Sequence, residues 1–313
     1  MILAPIVIYT YNRIDHLRKT VESLQNNYLA SESTLIIVSD GCGRVGDEQS
    51  IIEIRSYIDT ITGFKEIIKE FRETNYGAPG SIFEAEKRLV NKYGSIISME
   101  DDNVCSKNFL DFMNQGLEYY KNDPSIFSIS GYCPAVLEEE SYLKHISDYY
   151  TYYWNLSWGY GIWKEKYNKI IEFKDDYNVF KREGVLNKIN KLGGGYITDS
   201  ILRDFKHNGS FPDAWLCAKM TYFGYNSVIP SISKVSNIGS DGSGYHKGTL
   251  VDKFAVNIDE SDKRVFDFAS KPQNNKYFID QMVKFYNGSL LGRISRKFGI
   301  YHYVLILKKI ING

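Results

Sequence analysis

The chain has 313 residues, 43% of them hydrophobic, with 38 basic and 38 acidic side chains and no net charge. That length suits one large α/β domain with additions or two small domains, and the hydrophobic fraction provides a sizeable core. Zero net charge removes any global signature of nucleic-acid binding, so no nucleic-acid partner is expected.

Cys42, Cys105, Cys133 and Cys217 form no C-x-x-C pair, which argues against a zinc site or a disulfide scaffold and for a reducing cytoplasm. The start, Met1-Ile2-Leu3-Ala4-Pro5, has no basic n-region, and no apolar run is long enough to span a bilayer. The 25 tyrosines fit either a sugar-binding surface or plain coding bias.

Strand and helix signals alternate from the start. Ile6 to Thr10 reads as a buried strand. Asn12 is placed to cap a helix whose face is Ile14, Leu17, Val21 and Leu24, with Asp15 completing a capping-box-like pattern. Leu35 to Val38 is a second strand, ending at Ser39-Asp40-Gly41. Ile51, Ile54 and Ile58 mark a helix, and Glu66 to Phe71 a weaker strand. Asn75 to Gly80 reads as a loop before a helix carrying Ile82, Ala85, Leu89 and Val90. Ser95 to Met99 is a further strand, and Glu100-Asp101-Asp102 follows at once. Phe109 to Tyr120 carries a helical face, and Ile126 to Ser130 is another strand. Later come an aromatic and glycine-rich stretch, Trp154 to Trp163, a loop at Gly193-Gly194-Gly195, and a strand from Pro230 leading into a Gly/Ser-rich turn.

This alternation predicts an α/β fold with a mostly parallel sheet flanked by helices. Open parallel sheets bind ligands beyond the carboxyl ends of their strands. Tyr11 to Arg13, Asp40-Gly41 and Glu100 to Asp102 all lie at such ends and are expected to converge. Three adjacent carboxylates repel unless a cation or solvent compensates them. A hard divalent ion, Mn²⁺ or Mg²⁺, suits oxygen ligands; a solvated acidic turn is the alternative. Arg13 can pair with a diphosphate through its planar fork, or stand solvated at a helix start. Asp40 can accept from a nucleobase N–H, or serve turn chemistry. Asp213 can act as a general base or cap a helix. His246, in a glycine-rich turn, can be a metal ligand, a phosphate contact or simply exposed. The C-terminal segment interleaves Arg293, Arg296, Lys297, Lys308 and Lys309 with apolar residues. It fits a helix on an anionic membrane surface, or one packed on the domain.

In this order the motifs resemble a GT-A-fold, family-2-like bacterial glycosyltransferase. Ala4 to Arg13 resembles that family's opening strand and turn, and Val38 to Cys42 its nucleoside-contacting turn. Met99 to Val104 resembles its D-x-D-type metal motif in an E-D-D version. Trp158-Gly159-Tyr160-Gly161-Ile162-Trp163 resembles an acceptor-side motif, Asp213-Ala214-Trp215 the later aspartate motif, and Ser236-Asn237-Ile238-Gly239 through His246 the family's ending.

The resemblance implies donor contacts at Thr10, Asn12, Arg13, Asp40, Asn75, Gly77, Glu100 and Asp101. It implies acceptor contacts at Trp158, Gly159 and Trp215, and metal contacts at Asp102 and His246. Asp213 would be the catalytic base of an inverting transfer, with Asp199 and Asp204 as runners-up, because its Ala-Trp neighbours and the loop before His246 depart from the family's pattern. A catalytic domain over 1–250 is expected, with a nucleotide-sugar half at 1–131 and an acceptor half at 132–250. A helical, membrane-associating extension follows at 251–313. The implied reaction moves sugar from a nucleotide-sugar, most often a UDP-sugar, to a glycan or lipid-linked acceptor in surface polysaccharide synthesis, in the cytoplasm or at the inner face of the plasma membrane. The other classes weighed are a nucleotidyltransferase, disfavoured because Tyr9 to Arg13 has no glycine, and a non-catalytic glycan-binding protein.

Overall fold

The computed structural model describes residues 2–136, 147–207, 211–242, 253–270, 275–287 and 294–295. They divide into two compact units: residues 1–173 with 225–273, and 174–224 with 274–313. Both units are discontinuous, so each draws on both sides of position 250.

The first unit holds an eight-stranded sheet. Its strands are β1 (Ile6–Thr10), β2 (Thr34–Ser39), β3 (Glu66–Phe71), β4 (Ser95–Glu100), β6 (Ile126–Ser130), β7 (Tyr149–Tyr152), β8 (Tyr160–Trp163) and β9 (Asn226–Pro230). Their order across the sheet is β3-β2-β1-β4-β8-β6-β9-β7. Pairings β1–β2, β1–β4, β2–β3 and β6–β9 are parallel, while β8 and β7 run antiparallel to their neighbours. A small separate pair joins β5 (Asn103–Cys105) to β10 (Val235–Asn237).

Alternation along the strands sends side chains to two faces. Ile6, Ile8, Leu35, Ile37, Ile97 and Met99 join one buried cluster with helix α1 (Ile14–Gln25), α2 (Glu48–Thr60) and α4 (Phe109–Tyr120). The opposite face receives α3 (Gly77–Tyr93) and α5 (Lys164–Glu172). There the buried carboxylate of Glu86 in α3 accepts from Ser98 at 2.7 Å and from the Tyr160 hydroxyl. The aliphatic strands and the helical faces read from the sequence therefore form the core.

Four local readings differ. Asn12 does not cap α1. Arg13 holds that position without a side-chain capping bond, and the Asn12 amide donates to Asp47 at 3.2 Å. Helix α3 starts inside the expected loop, at Gly77, with φ of +69°, and Pro79 falls in its first turn, where a missing N–H is tolerated. The expected strand from Pro230 instead ends there, and among the described residues beyond it Val235–Asn237 alone forms a strand. Strands β7 and β8 were not anticipated. Both are short; β7 is tyrosine-rich, and β8 carries Gly161, where a Cβ would lie 3.0 Å from the Leu117 methyls.

The second unit is helical: α6 (Tyr177–Arg182), α7 (Val185–Lys191), α8 (Gly195–His207), α9 (Pro212–Phe223) and α10 (Asn275–Asn287). Phe180, Val185, Ile189, Ile197, Ile201, Phe278 and Met282 are buried in it. No described helix is long and apolar enough to cross a membrane. The basic segment expected to form a surface helix lies outside the described residues, apart from Ile294 and Ser295.

Candidate active site

Parallel pairing of β1 with β2 and β4 brings Thr10, Ser39 and Glu100 to one end of the sheet, with Tyr9 opposite Glu100 and Thr10 opposite Ser39. The acidic run turns away just beyond β4. Asp101 is buried, and its carboxylate accepts from the Thr10 hydroxyl at 2.9 Å and from Arg13. Burial, reinforced by the Asp102 charge and opposed by Arg13 and Thr10, pushes the Asp101 carboxyl up to about 6. The same two carboxylates raise Arg13 above its ordinary value despite its own burial. A guanidinium bridging two adjacent carboxylates offsets the repulsion expected of the run.

Asp102 is more fully committed. Its Oδ2 lies 2.9 Å from Arg13, and its Oδ1 accepts from Asn103 at 2.9 Å and from Asn237 at 2.6 Å. The Ile238 N–H donates to the Asp102 carbonyl at 2.9 Å, and Gly239 N–H donates to Asn237 at 2.9 Å. Gly239 packs so closely that a Cβ there would lie 2.2 Å from Asp102 Oδ2. The segment Ser236 to Gly239, singled out in the sequence without individual roles, therefore wraps the Asp102 carboxylate. Asn103, Asn237 and Gly239 lie in motifs quoted from the sequence, but no role was assigned to any of them. The strand pairing that delivers Asn237, β10 on β5, spans only three residues and gives no periodic signal.

The chemistry of these donors decides whether a divalent ion fits. Oδ1 of Asp102 is filled by amide N–H groups, so only Oδ2 can turn to a cation, and only as Arg13 gives way. The half-buried Glu100 adds a second oxygen donor at the strand end. All-oxygen ligands suit Mn²⁺ or Mg²⁺, which complete their shell with water and phosphate. No three His, Cys, Asp or Glu residues group to hold a metal among the described residues. His246 lies outside them.

Asp40 sits at the end of β2 and is buried. Its Oδ1 accepts from Gly41 N–H at 3.0 Å, and both of its oxygens accept from Tyr76 N–H, at 3.0 and 3.2 Å. Main-chain donors thus take the carboxylate expected to face a base. Asn75 ties the same loop down, donating to the Gly41 carbonyl at 2.8 Å and accepting from Gly77 N–H at 3.0 Å. Asn12 and Tyr11 converge on Asp47, and the Tyr11 hydroxyl donates to it at 2.6 Å.

Trp158 is half-buried, edge-on to Tyr132 at 4.6 Å and to Phe254 at 5.9 Å. Gly159 has φ of +62°, and a Cβ there would meet Val235 at 2.8 Å, so glycine is required beside β10. In the helical unit, Asp213 is exposed in the first turn of α9, after Pro212, where its charge favours the helix dipole. Phe211, not Asp213, holds the cap position. Trp215 is buried, and its indole N–H donates to Asp204 at 2.5 Å. Asp199 lies half-buried in α8.

No protein-family model and no curated protein matches the sequence. Similar solved structures include S. aureus TarS residues 1–349, at 12% identity and a TM-score of 0.43, with 74% of this chain and 59% of that chain covered. A second S. aureus TarS structure gives 12% identity, a TM-score of 0.39 and coverage of 76% and 37%. The mannosyltransferase PcManGT from Pyrobaculum calidifontis, in complex with GDP-Man and Mn²⁺, gives 8%, 0.35, and 54% and 45%. The chain spans less than two thirds of the length of each of these proteins.

Proposed function

We propose that the chain is a glycosyltransferase of GT-A type that moves a sugar from a nucleoside-diphosphate sugar to a glycan acceptor. The observation that carries this reading is the acidic run at the end of β4, locked to Thr10 and Arg13 at the end of the adjacent β1. An Arg held between two carboxylates, at the carboxyl ends of parallel strands, is placed to meet a diphosphate. Asp102, with Glu100 beside it, would hold Mn²⁺ or Mg²⁺. Such an ion supplies Lewis-acid stabilisation of the departing diphosphate. Arg13 adds a fixed positive charge on the same leaving group. Thr10, Asn12, Asn75 and Gly77 frame the donor, and Asp101 keeps Arg13 in place. Trp158 offers an aromatic face to the acceptor sugar, with Gly159 setting its approach and Trp215 adding an acceptor contact. Asp213 takes the proton from the attacking hydroxyl, and a single displacement then inverts the anomeric carbon. His246 would close over the diphosphate. In this division 1–131 serves the donor and 132–250 the acceptor.

A panel of nucleotide-sugars, screened by thermal shift with Mn²⁺, tests the reading. One donor class is expected to raise the melting temperature, because a ligand of the folded state alone adds stability. The same donor should give a product of inverted configuration, with turnover lost in EDTA. No shift and no turnover with any donor would overturn the transferase reading. Retained configuration would remove Asp213 as base.

The helical unit is basic in composition. Residues 174–224 and 274–313 contain fifteen Lys and Arg against seven Asp and Glu, while the sheet-bearing unit holds the balancing excess of acid. That excess of basic residues suits an anionic membrane surface carrying a lipid-linked acceptor. The full chain is expected to co-sediment with phosphatidylglycerol vesicles, to be released by high salt, and to ignore phosphatidylcholine vesicles. Equal binding to both, or to neither, would remove the membrane part.

A further inference from the structure

We propose that the ring of Tyr76 is the platform on which the donor's nucleobase stacks, and that Asp40 acts through Tyr76 rather than on the base. This rests on the nucleotide-sugar reading. Tyr76 is 51% exposed, and exposed aromatics are common on protein surfaces. What sets this one apart is how firmly it is held.

Three ties fix it. Its backbone N–H is gripped by both oxygens of the buried Asp40. The Arg72 guanidinium lies 4.2 Å beneath the ring, a cation–π contact that covers that face. Arg72 is itself immobilised, donating to the Ser81 carbonyl at 3.1 Å and to Glu84 at 2.5 Å, with its side chain only 10% exposed. The strand ends below are tied as well. Arg72 N–H donates to the Ser39 carbonyl at 3.0 Å, and Arg55 reaches from α2 to the carbonyls of Asp40 at 3.2 Å and Arg72 at 2.6 Å. A Cβ on Gly41 would lie 2.3 Å from the Thr74 carbonyl carbon, so the two loops pack without space between them.

The ring therefore stands, braced from below, at the carboxyl ends of β2 and β3. The acidic run stands at the end of β4, and β3 and β4 are three strand spacings apart, roughly 14 Å. That span is the reach of an extended nucleoside diphosphate, with base at Tyr76 and phosphates at Arg13. A base of any kind offers a π-face, and a rigid aromatic platform takes it without ordering cost. The Asp40 carboxylate already accepts two main-chain N–H groups, which makes it the foot of the platform.

Calorimetric affinities for UDP, GDP, CDP and ADP test this, on wild type, Y76A, Y76F, D40N and the Y76A/D40N double variant. Circular dichroism confirms that each variant folds. Y76A should weaken the tightest of these ligands by about tenfold or more, while Y76F restores it. D40N should also weaken binding, but should add nothing to Y76A. Unchanged affinity in Y76A overturns the platform, and additive losses overturn the route through Tyr76. If wild type binds none of the four, the nucleotide-sugar reading falls, and this inference with it. If wild type binds and Y76A does not differ, this inference alone falls.

Discussion

Asparagine in place of Asp102 is expected to reduce sugar transfer by about a thousandfold or more, with the fold intact. Asp102 accepts three N–H groups, from Arg13, Asn103 and Asn237. An asparagine has one acceptor oxygen and one amide nitrogen. The oxygen can keep the two asparagine bonds, and the new NH₂ then faces the Arg13 guanidinium, donor against donor. The lost negative charge is the larger effect. It removes the carboxylate that would hold a divalent ion, and with it several kcal/mol of leaving-group stabilisation. About 4 kcal/mol corresponds to a thousandfold. Stability should change little, because Asp101 still pairs with Arg13 and the repulsion between neighbouring carboxylates disappears. Steady-state kinetics with the donor found in the screen, beside a thermal melt, checks both halves. Activity within tenfold of wild type would mean that Asp102 is a structural wrap for the Ser236 to Gly239 segment and no more.

That double engagement shows what the sequence revealed and what it hid. Strand ends were legible because Ile6 to Thr10 and Ser95 to Met99 are aliphatic runs with sharp stops, and stops in parallel strands share one edge of a sheet. The expectation that Tyr11 to Arg13, Asp40-Gly41 and the acidic run share one end of the sheet therefore followed from local pattern alone. The partners of each side chain did not. Asn237 reaches Asp102 across 135 positions through a three-residue pairing, and Tyr76 reaches Asp40 through its backbone, which no side-chain pattern records. The central strand β8 was hidden for another reason. Its Tyr-Gly-Ile-Trp sits in an aromatic and glycine-rich stretch without strand alternation, and its glycine answers a contact with Leu117 that exists only in the folded chain.

The largest effect on stability is expected from a buried ion pair that no motif includes. Lys234 and Asp259 form an ion pair with side chains only 4% and 5% exposed. Asn108 adds a bond to the Asp259 carboxylate at 2.9 Å, and Lys234 lies 4.7 Å over the ring of Phe266. K234M is expected to cost about 3–5 kcal/mol, because it leaves a buried carboxylate without its counter-ion. A double change to well-packed apolar residues should recover much of that, since the desolvation cost disappears along with the pair. The acid limb of stability should report the same contact. Burial alone would raise the Asp259 carboxyl, but the bonds from Lys234 and Asn108 outweigh it and hold the group at about 2. A folded value below the unfolded one means that the contribution is complete above about pH 4. It is lost as pH falls toward 2, and amounts to about 2 kcal/mol. K234M should flatten that limb, which urea melts between pH 2 and 5 would show; an unchanged limb would assign it to other carboxylates. Activity should fall with stability in this variant. Lys234 immediately precedes β10, its N–H and carbonyl are bonded to Gly131 and Ser106, and β10 delivers Asn237 to Asp102. Loosening the pair frees the strand that wraps the acidic run, so the loss should appear in kcat even at temperatures where the variant remains folded.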